Sequence, residues 1–224
     1  MLSKPITSDQ MYRIEENGDS IFGMRRVLMM ENAGHGLADF VASRFKNLRN
    51  RRVVAVCGNG NNGGDGFVAC RHLASYGAKI TVVLLGSPSD LKSEEAKLNW
   101  GIIEKMNSIE IIFAKELTVE VKGRVAKASI ILDCIFGTGI RGEIREPYAS
   151  AIEAINKSKA YIVAVDVPSG FDPNTGHIHE KCVRADATVT FHRLKVGLVK
   201  GKKYTGPVHI ERIGIPPEAE TGVI

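Results

Sequence analysis

Seven short runs rich in valine and isoleucine, separated by stretches with helical spacing, constrain this chain more than any other feature. The runs are Arg52 to Cys57, Lys79 to Leu85, Glu110 to Phe113, Ser129 to Cys134, Tyr161 to Val165, Ala187 to Phe191 and a last one near Val208 to Ile210. Strand alternating with helix is the sequence form of a parallel sheet covered on both faces, because parallel neighbours need a crossover between them. Most of the runs lack polar alternation, so both faces of each strand should be buried. The expected class is α/β: a three-layer α/β/α sandwich around a mostly parallel central sheet. At 224 residues, one domain over 1–224 is expected rather than two.

Composition narrows the function classes. With 44% hydrophobic and 25% charged residues the chain is neither disordered nor a coiled coil. No apolar run approaches the roughly 20 residues of a membrane-spanning helix. The opening MLSKPITSDQMYRIEENGDS turns polar and acidic where a secretory signal would carry its apolar region, so the chain is read as cytoplasmic, without a membrane partner. The net charge of +5 admits anionic ligands. Its basic residues are scattered, apart from Arg51-Arg52 and a looser run from Lys195 to Lys203, and aromatics at 6% are too few for a base-stacking platform. Nucleic acid is therefore not the expected partner. Cys57, Cys70, Cys134 and Cys182 form no CxxC pair and read as reduced structural thiols.

Two helices are expected before the first strand. The first opens with Thr7-x-x-Gln10, a capping-box pattern. The second, Met24 through Phe45, carries Gly34 and Gly36 inside its helical pattern, which points to close approach of another backbone, a ligand or a neighbouring helix. After the first strand comes Gly58-Asn59-Gly60-Asn61-Asn62-Gly63-Gly64-Asp65-Gly66, leading into an expected helix from Phe67 to Tyr76. Gly58, Gly60 and Gly63 satisfy G-x-G-x-x-G in the strand-turn-helix context where free amides meet a pyrophosphate. Asn61 and Asn62 tolerate left-handed backbone angles, so an anion-binding nest is expected there. The second strand ends in Val83-Leu84-Leu85-Gly86, without the acid that holds a ribose in dinucleotide oxidoreductases. Gly64-Asp65 stands where an NTPase loop needs lysine and a hydroxyl, which disfavours phosphoryl transfer.

Two further strand ends carry acids. Asp133 lies in the apolar run Ser129 to Phe136, followed by Gly137-Thr138-Gly139-Ile140-Arg141-Gly142-Glu143. A carboxylate in that setting must be paired, hydrogen-bonded or metal-bound; Arg141, Arg145 or a cation could serve. Tyr161 to Val165 delivers Asp166 and then Ser169. Asn62, Asp65, Asp133, Asp166 and Ser169 all bear oxygen, so a bound metal should be hard, such as potassium or magnesium. Ser169 lacks the first glycine of G-x-S-x-G, which argues against a nucleophile. His177-x-His179-x-x-Cys182 reads as a polar loop rather than a metal site. Lys195 offers a cation to a phosphate or carboxylate, or is an exposed surface lysine.

Together LMMENAG (Leu28 to Gly34), GNGNNGGDG (Gly58 to Gly66), DCIFGTGIRG (Asp133 to Gly142), VDVPSGFDPNTG (Val165 to Gly176) and TVTFHRLKVGL (Thr188 to Leu198) resemble the NAD(P)H-hydrate epimerase family, the YjeF N-terminal domain. The resemblance runs from about Thr7 to Pro216, and only His192-Arg193 departs locally from the family's usual turn. It implies a Rossmann-like sandwich, a homodimer, that interconverts the R and S epimers of hydrated NADH and NADPH and supplies the S form to an NAD(P)H-hydrate dehydratase as functional partner. It also implies substrate contacts from Asn61, Asn62, Gly63, Gly64 and Asp65, from Gly137, Thr138, Gly139, Ile140, Arg141, Gly142 and Glu143, and from Asp166, with one potassium ion per subunit held by Asn62, Asp133 and Ser169. The hydroxyl leaves a ring carbon bonded to nitrogen, so an iminium-like intermediate can form and take water from the opposite face. Asp166 is the expected general acid and base. A non-catalytic nucleotide- or RNA-binding scaffold and an NAD-dependent oxidoreductase are the alternatives. A fused dehydratase is not expected, because the sequence ends shortly after IGIPP at Ile213 to Pro217.

Overall fold

A computed structural model describes residues 4–139 and 142–224. Helices α1 (Ser8–Ser20) and α2 (Arg26–Phe45) precede β1 (Arg52–Cys57). Then follow α3 (Asn61–Ser75), β2 (Lys79–Leu84), α4 (Glu94–Ile103), β3 (Ile109–Phe113), α5 (Val119–Ala126), β4 (Ile130–Cys134), α6 (Tyr148–Lys157) and β5 (Tyr161–Val165). The chain closes with β6 (Ala187–Phe191), α7 (Lys202–Thr205) and β7 (Val208–Glu211). The seven strands form one sheet in the order β3-β2-β1-β4-β5-β6-β7. Every pairing is parallel, so the sheet exceeds the mostly parallel expectation.

Alternate residues of the central strands go to two separate cores, as the two-residue strand period requires. Val53, Ala55 and Cys57 of β1 join residues of α1 to α4, among them Met11, Leu37, Phe67 and Trp100. Val54 and Val56 turn the other way and pack with Val121 of α5 and Ile152 and Ile155 of α6. Burying both faces explains why the strand runs are continuously apolar.

The capping box at Thr7 forms as expected: Gln10 N donates to Thr7 Oγ1 at 3.2 Å and Thr7 N donates to Gln10 Oε1 at 2.9 Å. Helix α2 runs straight through Gly34, where a Cβ would stand 2.4 Å from Val68 Cβ, so that glycine lets α2 lie against α3. Helix α3 departs from expectation. It starts at Asn61, six residues before Phe67, and takes in most of the glycine-rich segment. Asn61 and Asn62 are accordingly helical; the left-handed non-glycine residues among those described are Lys46, Asn50, Asp166 and His192. All four cysteines are unpaired and buried. No helix among the described residues is long and apolar enough to cross a membrane.

Candidate active site

The strand order reverses between β1 and β4, since β1 is succeeded by β2 on one side while the chain returns to lay β4 on the other. Open α/β sheets bind ligands beyond the carboxyl ends of the strands at such a point. A cavity of about 710 Å³ opens there, lined by Met11 and Glu15 of α1, Met29 and Met30 of α2, Asn59 to Asn62 with Asp65, the loop from Ile135 to Gly139, and Asp166, Phe191 and Lys195. Its volume suits a small organic ligand.

Glycine brings the two loops this close. A Cβ on Gly58 would stand 2.1 Å from the Ile135 carbonyl oxygen, and one on Gly63 would stand 2.0 Å from the Gly58 carbonyl oxygen. Gly64 N bonds to Gly60 O at 3.2 Å, the first turn of α3. Helical geometry leaves the amides of Asn61, Asn62 and Gly63 without an acceptor inside the helix. The segment therefore presents a helix N-terminus rather than the expected left-handed nest. The Asn62 side chain is buried with neither amide atom hydrogen-bonded within the described chain, and its Oδ1 faces Gly137. Such an orphaned amide is a rarity that calls for a ligand or a water.

Asp133 is fully buried near the end of β4. Its Oδ2 accepts from Ser169 N at 2.8 Å and its Oδ1 from Ser169 Oγ at 2.6 Å, while Ser169 Oγ accepts from Phe136 N at 2.9 Å. Burial pushes its carboxyl up to about 6, opposed by the Ser169 bonds. Neither this residue nor Ser169 lines the cavity; both brace the loops around it. Of the expected arginine partners, Arg145 lies 3.5 Å from Glu143 on the surface, and Arg141 is outside the described residues.

Asp166 follows β5 with φ of 64°, a left-handed conformation that aspartate tolerates better than most and that clusters at functional sites. Its Oδ1 accepts from Thr190 Oγ1 at 3.0 Å and from Lys195 Nζ at 2.6 Å. Lys195 is not a surface lysine: it is 1% exposed, and its ammonium also meets Phe191 O at 2.8 Å and Thr190 Oγ1 at 3.1 Å. Ile6 fixes its backbone by donating to Leu194 O at 2.9 Å and accepting from Val196 N at 3.0 Å. That bridge ties the start of α1 to the Lys195 loop.

Two further carboxyls face the pair. Asp65 is buried on α3, and its carboxyl is pushed well above the usual range by burial and then by Asp166 and Glu15, with Lys195 opposing. The carboxyl of Glu15 is pushed up to about 7 by burial; Lys195 lowers it, Asp166 raises it and Arg26 lowers it. Nothing in the sequence singles out Glu15, an acid in an amphipathic helix that looks like any solvated residue. Its only trace is the spacing from Met11, one helical turn away on the same face.

The YjeF-related protein N-terminus family matches residues 27–197. An NAD(P)H-hydrate epimerase of Nitrosopumilus maritimus is 48% identical over 219 residues, 98% of this chain and 99% of that one. The chain belongs to the NAD(P)H-hydrate epimerase family. A second epimerase, from Cenarchaeum symbiosum, is 50% identical over the same shares. A bifunctional NAD(P)H-hydrate repair enzyme of Pyrobaculum aerophilum is 44% identical over 220 residues, which make up 96% of this chain and 42% of that longer protein. Among solved structures, a yeast protein superposes with a TM-score of 0.75 at 25% identity, over 88% of this chain and 84% of its own.

Of the substrate contacts that membership in the epimerase family implies, Asn61, Asn62, Asp65, Gly137, Thr138, Gly139, Glu143 and Asp166 line the cavity. Gly63, Gly64 and Gly142 do not. Gly63 is taken up by the Gly58 carbonyl, Gly64 lies against the Met30 side chain, and Gly142 is a turn glycine with φ of 75°. Ile140 and Arg141 lie outside the described residues. The cavity adds Glu15, Lys195 and Tyr148, whose hydroxyl accepts from Asn59 Nδ2 at 3.2 Å and whose ring stands 4.8 Å from that of Phe136.

Proposed function

We propose that this chain interconverts the R and S epimers of hydrated NADH and NADPH, an isomerase of nicotinamide nucleotide repair. The observation that carries the reading is the buried Asp166–Lys195 pair lining a switch-point cavity that is also lined by the N-terminal turn of α3. The diphosphate of the substrate lies at the first-turn amides of α3, where the free donors and the helix dipole favour negative charge. The hydrated ring then faces Asp166. Loss of its hydroxyl leaves a cation stabilised by the ring nitrogen lone pair, and water returning on the opposite face gives the other epimer. Asp166 moves the protons, and Lys195 with Thr190 holds its carboxylate in one orientation.

One potassium ion per subunit belongs to the same reading. Asn62, Asp133 and Ser169 would hold it, and the set fits a hard cation: every donor is oxygen, Asp133 brings one formal charge, and Asn62 Oδ1 has no other partner among the described residues. When bound it supplies positive charge that draws the two loops together. The chain acts as a cytoplasmic homodimer upstream of an NAD(P)H-hydrate dehydratase. This pairing accords with the bifunctional repair enzymes, whose additional length exceeds the epimerase-like part.

The test follows conversion of pure R epimer by chromatography, with and without potassium. Wild-type protein should convert it, and Asp166→Asn should lower kcat by about 10²- to 10⁴-fold. Wild-type turnover in Asp166→Asn would remove Asp166 from the chemistry. Absence of any conversion, together with tight RNA binding, would favour a binding scaffold instead.

A further inference from the structure

Epimerisation exchanges a hydroxyl between two faces of one ring, so protons must be handled on both. A single carboxylate at the tip of β5 reaches one of them. The wall formed by α1 is a separate element, and it puts Met11 and Glu15 into the same cavity one helical turn apart. The helix is fixed at both ends of this turn. The capping box and the Ile6 bridge hold its start, and Asn17 Nδ2 donates to Ala219 O at 2.9 Å further along. Arg26 of α2 lies 3.7 Å from Glu15 Oε2, and Lys195, Asp166 and Asp65 of α3 complete the charged groups facing it.

We propose that Glu15 is a second catalytic residue of this cavity, exchanging a proton with the ring hydroxyl on one face while Asp166 serves the other. The inference rests on the epimerase reading. In one direction the O–H bond of the Glu15 carboxylic acid breaks and its proton goes to the ring hydroxyl. The carbon–oxygen bond then breaks with its electron pair on oxygen, releasing water, and the ring nitrogen lone pair forms the carbon–nitrogen double bond. Water adds to the same carbon from the other face, and its surplus proton passes to the Asp166 carboxylate. Solvent returns a proton to Glu15 and removes one from Asp166, so nothing is consumed. The reverse reaction swaps the two roles, as a reversible epimerase demands.

Asp65 is the rival for this role. The Glu15 side chain keeps 30% of its surface in water, which allows reprotonation between turnovers, while Asp65 is as buried as Asp166, so the variants below decide between Glu15 and Asp65. The raised affinity of Glu15 for its proton, near 7, keeps part of it in the acid form at neutral pH. A pair of carboxyls in unlike surroundings is the usual means of having an acid and a base at one pH.

The experiment measures kcat and KM for pure R epimer of hydrated NADH from pH 5 to 9, for wild type, Glu15→Gln, Glu15→Asp and Asp65→Asn. Glu15→Gln should lose about 10²-fold or more in kcat with KM within about threefold, and should lose the fall in kcat above pH 7. Glu15→Asp should recover part of kcat and restore the limb. A melting temperature of Glu15→Gln at or above wild type at pH 8 separates lost chemistry from lost folding; if Glu15→Gln does not fold, the displaced limb of Glu15→Asp carries the decision. An active wild type beside a Glu15→Gln that keeps a third of its kcat and its alkaline limb overturns the inference alone. The same holds if Asp65→Asn, and not Glu15→Gln, abolishes the limb. A wild type that converts nothing overturns the epimerase reading and this inference together.

Discussion

Replacing Lys195 by methionine removes the ammonium while keeping the length of the buried stem. In the native fold that ammonium is 1% exposed and spends its donors on Asp166 Oδ1, Phe191 O and Thr190 Oγ1. The stem continues to pack, so the loss falls on the polar end. Removing one partner of a buried ion pair strands the other and costs about 3–5 kcal/mol. For a chain of this length about 1 kcal/mol moves the midpoint by roughly 2–4 °C, so Lys195→Met should melt roughly 6–20 °C below wild type. The decisive measurement is a double-mutant cycle by urea unfolding at pH 7. Asp166→Asn added to Lys195→Met removes the stranded carboxylate and should recover more than half of the loss. A Lys195→Met protein within about 1 kcal/mol of wild type would refute the pairing argument, as would a double variant no more stable than the single.

Gly63→Ala should cost about 1–3 kcal/mol, because its Cβ would stand 2.0 Å from a backbone oxygen that cannot rotate away; a thermal melt within about 0.5 kcal/mol of wild type would show that the loop has slack. Glu15→Gln should be more stable than wild type at pH 8 and equal to it below pH 4.5. The sign follows from the folded state binding this proton more tightly than the unfolded chain, about 7 against 4.5, so that stability present below pH 4.5 is lost as pH rises through 7. The shift sets an upper limit of about 3.4 kcal/mol; with the side chain 30% exposed, a gain of about 1–3 kcal/mol is expected in urea melts at the two pH values.

Legibility in the sequence followed the range of the interaction. The strands were readable because burial on both faces writes itself as a contiguous apolar run, and their ends were misplaced by a residue at most, as at Leu85 and Ser129. The turn after β1 was readable as a ligand loop from glycine density, but the start of α3 was not. Glycine and asparagine are weak helix formers, and the expectation of a loop through Gly66 followed propensity. What overrides it is the packing of Gly63, Gly64 and Gly66 against Gly58, Met30 and Cys134, closest at Gly63, where a Cβ would meet a backbone oxygen at 2.0 Å. Glu15 was illegible, and Lys195 was legible only as a choice between a cation for a phosphate or carboxylate and an exposed lysine, for a different reason. The partner that defines Lys195 is Asp166, 29 residues away, and the groups that face Glu15 come from other elements, so the sequence neighbours of these residues, Leu194 and Val196 or Ile14 and Glu16, do not name the contact.

The charge arithmetic of the cavity joins stability to chemistry. Glu15, Asp65 and Asp166 line one cavity with a single buried ammonium, and Arg26 reaches Glu15 alone of the three, with its shorter ion pair, 2.6 Å, going to Glu16. Three full negative charges there would repel through a medium of low dielectric, where opposition at a few ångströms costs far more than in water. The fold relieves this by leaving Glu15 and Asp65 protonated well into the range where an exposed carboxyl would ionise. The burden is a molecule less stable above neutrality than a glutamine at position 15 would make it. A purely structural cavity would have no use for carboxyls placed so, whereas a reaction that adds a proton on one face of a ring and removes one from the other needs a neutral acid and a base within the same enclosure. The destabilising ionisation of Glu15 and the proton it can give at neutral pH are one property, seen once in a melting curve and once in a rate.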